Sequence, residues 1–136
     1  YGVPLWAINN IKAGADWTMP DGTVIPNDRL TTPPTPARSF AYCSDTAFSQ
    51  ALIPLLRDVC VLYHEATYAD DMAPRARLYK HSTAREAATI ARDANVGMLI
   101  IGHFSQRYND ENILLQEAKN VFPNTFLAKE EAVFEI

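Results

Sequence analysis

The sequence predicts an α/β fold. From Arg38 onward, apolar runs of strand length alternate with amphipathic segments of helix length. One of those helical segments also carries a row of alanines that would let it lie close on a sheet. Strand-helix-strand alternation of this kind makes parallel strand pairs joined by right-handed crossovers. At 136 residues, 48% hydrophobic and 21% charged, the chain has the size and composition of one soluble globule with a real core.

Residues 1–38 have a different texture, holding six of the nine prolines and three of the five glycines. They read as hairpins and loops, with Asp21-Gly22 a turn signal between WTM and TVI. Pro33-Pro34-Thr35-Pro36 reads as a stiff extended connector, because each proline fixes its own φ and pushes the preceding residue out of helix. We take 1–38 as part of the same domain as 39–136.

Ser39 to Cys43 (SFAYC) is the first predicted strand, followed by Ser44-Asp45-Thr46 and a helix of about ten residues through Leu56. Val59 to Tyr63 is the second strand, after which comes a polar, partly helical excursion containing Pro74. His81-Ser82-Thr83 opens a helix to about Ala94, with Ala84, Ala87, Ala88 and Ala91 on one face and a Thr-x-x-Glu capping box at Thr83 and Glu86. Met98 to Ile101 (MLII) is a buried-type strand ended by Gly102-His103. Asn109-Asp110 starts a helix to about Phe122, and two short strands, TFLA and AVFEI, close the chain.

Composition bounds the function. No run of about 18 apolar residues is present to span a membrane. The opening YGVPLWAINN lacks the charged-then-apolar layout of a signal peptide, so the reading is cytoplasmic. Cys43 and Cys60 lie in separate apolar runs without CxxC spacing and read as buried free thiols. A formal charge of −4 argues against nonspecific nucleic-acid binding by these residues. The chain opens on Tyr1 inside a hydrophobic stretch, which suggests a piece of something longer.

In parallel sheets, ligands bind at the carboxyl ends of strands, where loops leave the sheet and helix N-termini point their free N–H groups inward. Three predicted strands end in Asp45, in His64-Glu65 and in His103, and His81 sits at the mouth of a capped helix. Asp45, His64, Glu65, His81, His103 and Arg107 together make a constellation of metal-type ligands, acid-base groups and one phosphate-type cation. Singly, each has a plainer reading: Asp45 as a helix N-cap, a strand-end histidine as a packed residue, and Arg107-Tyr108 as an exposed pair on a turn.

SDT after one strand, HEAT after the next, HSTAREAA opening a helix and GHFSQRY after a third strand resemble the successive motifs of ribonuclease Z, the tRNA 3′-processing endonuclease of the metallo-β-lactamase fold. The four occur in the family's order, with Asp45 and His81 36 positions apart and Asp45 and His103 58 apart. The tail FPNTFLAKEEAVFEI and, more loosely, YGVPLWAINNIKAG extend the resemblance over nearly the whole chain. It implies the C-terminal half of an αββα sandwich, a mixed sheet with helices on one face. It further implies that Asp45 matches a carboxylate bridging two zinc ions and His103 a ligand of one of them. Glu65 and His81 match a coupled pair in which His81 is the general acid, and Arg107 is placed to hold phosphate oxygens. Thr46, Ser82 and Thr67 read as caps and loop braces, and His64 as packing beside the site. The implied substrate of the parent protein is precursor tRNA.

The family's zinc pair is also held by a His-x-His-x-Asp-His cluster and one further histidine, and this chain contains no such cluster. Asp45 and His103 alone do not close a dinuclear site, so the chain as given is expected to bind no catalytic zinc and to cut no RNA, as an inactive C-terminal part. A half-sandwich would also uncover the apolar face of FAYC, VCVLY and MLII, from which a homodimer or swapped assembly is expected. Two other readings remain: another hydrolase of the same fold, arylsulfatase-like or a phosphodiesterase, and a non-enzymatic α/β interaction module whose strand-end polar groups are caps. Convergence of Asp45 with His103 and contact of Glu65 with His81 would separate the last from the rest.

Overall fold

The structure, a computed structural model, describes residues 1–135. It divides into two compact units, Tyr1–Ala37 and Arg38–Ile136.

The first unit contains a short 3-10 turn at Leu5–Ala7 that runs into helix α1 (Ile8–Lys12), then the hairpin strands β1 (Trp17–Thr18) and β2 (Val24–Ile25). The hairpin is antiparallel and turns at Asp21-Gly22, where Gly22 takes φ +86° and the Asp21 carboxylate accepts from Thr23 N–H at 2.9 Å. Helix α1 was not foreseen: at five residues it is too short to display a hydrophobic period, and only Ile11 is buried in it.

The second unit is built on a four-stranded sheet of β3 (Phe40–Cys43), β4 (Val61–Glu65), β5 (Met98–Gly102) and β6 (Thr125–Leu127), in that spatial order and parallel throughout. Parallel and antiparallel pairings therefore both occur in the chain, in separate sheets. Helices α2 (Ala73–Tyr79) and α3 (Ala84–Asp93) lie between β4 and β5, and α4 (Asn112–Lys119) between β5 and β6. Leu62, Leu99 and Ile101 form one core with the alanine face of α3, Ile90, and Leu114 and Ala118 of α4, all at 0% exposure. Fully burying each of the large side chains contributes about 1.5–3 kcal/mol. The alanines predicted to share a face do so, and the predicted capping box is present: Thr83 Oγ1 accepts from Glu86 N–H while the Glu86 carboxylate accepts from Thr83 N–H.

Register sets the opposite face of the sheet. Tyr42 pairs with Tyr63, Tyr63 with Ile100 and Ile100 with Phe126, so these four share one face, and Tyr42 stacks on Tyr63 at 4.5 Å between ring centroids. Phe40 and Tyr42 are 59% and 63% exposed, while Val61 and Ile100 are buried. The expectation that apolar sheet surface lies open thus holds for β3 and only in part for β4 and β5.

Three expectations need correction. The segment after SDT is not a ten-residue helix but a 3-10 turn at Gln50–Leu52 followed by further turns. Pro54 has no N–H to bond back to Gln50, and Gln50 O is taken instead by Ile53 N–H, so the α-helical ladder cannot continue. Strand β4 does not stop at Tyr63: His64 and Glu65 pair with Ile101 and Gly102 and belong to the strand itself. Finally, AVFEI forms no strand over 132–135, with Ile136 outside the described residues. The backbone turns at Glu131, which takes φ +62°, instead of extending the sheet.

Candidate active site

Local geometry at the strand ends places each polar group. Asp45, two residues past β3, and His103, directly after β5, take left-handed φ values of 50° and 61°. That conformation is uncommon outside glycine and concentrates at functional turns. His81 is delivered by the end of α2. Lys80 is left-handed at φ 60°, and the next residue, His81, donates its N–H back to Ala76 O at 2.8 Å, as in a Schellman cap. Backbone bonds then tie the loops together. Ala66 N–H donates to Gly102 O, Ser105 N–H to Thr67 O, and Ala84 N–H to Tyr68 O.

Glu65 is the hub. It is 0% exposed and its carboxylate accepts five hydrogen bonds. Oε1 takes Thr46 N–H at 3.0 Å and His81 Nδ1–H at 2.8 Å. Oε2 takes Thr67 N–H at 3.1 Å, Thr67 Oγ1–H at 2.7 Å and Ser82 N–H at 3.1 Å. Three of the five partners are backbone N–H groups, which can only donate, so both carboxylate oxygens serve as acceptors here. Ser82 Oγ closes the circle by donating to Thr46 O at 2.7 Å. The SDT, HEAT and HST segments are thereby joined at one side chain, and the GHFS segment joins through Thr67, whose Oγ1 lies 3.0 Å from His103 Nδ1.

On the open side of this hub, Asp45, His81 and His103 each offer a ligand atom within 4.8 Å of the others. His103 Nε2 is 3.3 Å from Asp45 Oδ1, and the His81 and His103 rings are 5.3 Å apart. Asp45 and His103 are exposed and His81 is half-buried, so the cluster is reachable from solvent. Arg107 is exposed and belongs to the same rim. Its guanidinium lies 5.9 Å over the Tyr68 ring, which meets His81 edge-on at 6.3 Å.

His64 does not join the cluster. It is fully buried, its Nδ1–H donates to Glu65 O at 2.7 Å, and Nε2 has no partner among the described residues. Burial pushes its pKa below the ordinary value of 6.5. Thr46 and Ser82 tie the loops together through backbone N–H groups that sequence does not mark and through the Ser82 hydroxyl on Thr46 O. Thr67 does more than brace, since it touches both Glu65 and His103. The Glu-x-Thr spacing was a usable signal, because residues two apart on an extended chain project to the same side. Gly102 lets the β4 and β5 ends close up: a Cβ there would come within 2.4 Å of Tyr63 Oη.

No protein-family model matches the chain. It is similar to a ribonuclease Z of Phocaeicola vulgatus, 51% identical over 130 residues, which are 96% of this chain and 42% of that protein. It is likewise similar to one from Bacteroides fragilis, at 53% identity over 96% of this chain and 43% of that protein. The chain thus spans about two-fifths of the length of these curated relatives. Among solved structures, the metallo-β-lactamase fold protein YhfI from Bacillus subtilis superposes with a TM-score of 0.64 at 27% identity, covering 69% of this chain and 38% of that one. Human tRNase Z, short form, superposes with a TM-score of 0.52 at 30% identity, covering 69% and 30%.

Proposed function

The chain belongs to the ribonuclease Z family, and we propose that it supplies one share of a metal-dependent endoribonuclease centre that removes the 3′ trailer from precursor tRNA. The observation that carries this reading is the convergence of four loops, distant in sequence, on Glu65 and its neighbour Thr67, with Asp45, His81 and His103 gathered on the open side. Isolated capping roles would not need a fully buried carboxylate shared among them, which disfavours a plain interaction module.

The donor set fits a share of a zinc site, since carboxylate and imidazole are ordinary zinc ligands. Asp45 and His103 would hold the metal. Zinc, when bound, supplies a hydroxide near neutral pH and polarises the phosphoryl oxygen. Three donors are fewer than two ions require, so the remaining ligands are proposed to lie outside these residues.

Glu65 fixes His81 through Nδ1 and leaves Nε2 as the nitrogen that exchanges a proton. We assign it to the leaving 3′ oxygen, because an imidazole backed by a buried carboxylate is the arrangement of a general acid. Arg107, held over Tyr68, is the fork for phosphate oxygens. The exposed Phe40 and Tyr42 support self-association of this chain. Two unpaired cysteines, Cys43 and Cys60, support a reducing, cytoplasmic location. No helix among the described residues is long and apolar enough to cross a membrane.

The test is a chimera in which these residues replace the matching part of the Phocaeicola vulgatus ribonuclease Z. Cleavage of a precursor tRNA at its 3′ trailer, abolished by Asp45→Ala or His81→Ala, is the expected result. A folded, zinc-loaded chimera that hydrolyses a small diester and leaves the tRNA intact would point to the other hydrolases of this fold. One that cleaves neither would refute the proposal.

A further inference from the structure

Thr67 has one hydroxyl proton and two neighbours that compete for it. Glu65 Oε2, 2.7 Å away, belongs to a carboxylate that accepts and has nothing to donate; His103 Nδ1, 3.0 Å away, can do either. The proton therefore goes to Glu65, the shorter and charge-assisted bond. Once it has gone there, Oγ1 faces His103 with lone pairs only, and the contact is a hydrogen bond only if Nδ1 carries a proton.

We propose that Thr67 is a positioning residue that fixes the tautomer of His103, relaying the charge of Glu65 so that Nδ1 is protonated and Nε2 presents its lone pair beside Asp45. The proposal rests on reading His103 as a metal ligand, since a metal takes the deprotonated nitrogen. The local pull on the ring runs the other way. Asp45 Oδ1, 3.3 Å from Nε2, would draw the proton onto Nε2, and an imidazole free in water also favours the Nε2–H form. Thr67 is buried at 6% exposure, so water does not replace its hydroxyl easily. His64 and His81 also bond through Nδ1, to Glu65 O and Glu65 Oε1, so all three histidines of the chain are assigned the same tautomer, each through an acceptor that Glu65 supplies or orders.

Long-range proton–nitrogen correlation spectra of the metal-free chain, labelled with 15N-histidine and recorded where the rings are neutral, test this directly. The wild-type chain is expected to show a protonated Nδ1 and a pyridine-type Nε2 for His103. In Thr67→Val the two nitrogens of His103 exchange character, Thr67→Ser keeps the wild-type pattern, and His81 is unchanged throughout. A merely structural threonine would leave the His103 tautomer alone. An Nε2–H tautomer of His103 in the wild-type chain, or an unshifted His103 in Thr67→Val, overturns the assignment. The wild-type spectrum decides the matter even where the valine variant fails to fold. Because no metal enters the measurement, it fails separately from the endoribonuclease reading, which stands or falls on tRNA cleavage by the chimera.

Discussion

Replacing Glu65 by glutamine tests whether one buried carboxylate holds the rim together. The side chain is 0% exposed and all five of its partners are donors, two at Oε1 and three at Oε2. The glutamine does best with its NH2 at the Oε1 position. His81 then recovers a bond by switching tautomer, but Thr46 N–H is left facing another donor, a loss of about 1–3 kcal/mol. The three bonds at the remaining oxygen fall from charge-assisted to neutral, about 1 kcal/mol each. Part of this is returned because a neutral amide is cheaper to desolvate than a carboxylate. The net expectation is a loss of about 3 kcal/mol, a large share of a typical domain's 5–15 kcal/mol or so. Urea unfolding followed by far-UV circular dichroism measures it, and the His81 nitrogen spectrum reports the tautomer switch. A loss under about 1 kcal/mol with His81 unchanged would show that the loops hold themselves and that the hub does not.

His64 sets a pH dependence. Its folded pKa is depressed by burial while the unfolded chain titrates near 6.5, so below that value the unfolded state binds more protons. Stability is then present above about 6.5 and falls as pH drops through that value towards the folded pKa, with a slope of at most about 1.4 kcal/mol per pH unit. His64→Asn, which can keep the donor to Glu65 O, should flatten that slope in paired unfolding curves at pH 7.5 and 5.5 or so; parallel curves would count against it. Gly97→Ala should cost more than Gly102→Ala in unfolding free energy. The added Cβ meets the Cys60 carbonyl oxygen at 2.6 Å in the first case and a movable phenol at 2.4 Å in the second, so the expected costs are at least about 3 against about 1–3 kcal/mol. Equal costs would disprove the close-approach argument at Gly97. Light scattering at high concentration should give twice the chain mass, restored to one by Tyr42→Asp with Phe126→Asp; a stable monomer would refute self-association through the open face.

Much of the sheet was legible because a parallel strand buried on both sides leaves a continuous apolar run, as MLII does, and an alanine face with a capping box marks a helix regardless of its surroundings. Both signals are local. The failures were also physical. A helix pattern around QALIPLL was overridden by the missing N–H of Pro54, and residues 132–135, despite their strand composition, follow the turn at Glu131 without joining the sheet. Composition marks readiness to pair and says nothing about whether a partner is within reach.

The sequence by itself determined which residues have the chemistry: a carboxylate after the first strand, a His-Glu pair expected just past the second, and histidines before α3 and after β5. It also placed them at strand and helix ends, where an α/β sheet gathers its ligands. Only the tertiary structure decided that Glu65, and not a histidine, is the centre, because its five partners come from Thr46, Thr67, His81 and Ser82 and three of the five are backbone N–H groups. Every non-proline residue carries such a group, so no side-chain pattern announces which will be aimed inward. The same holds for the proton of Thr67: its direction is fixed by what lies at 2.7 Å and 3.0 Å, distances that exist only after residues 36 positions apart have been folded together.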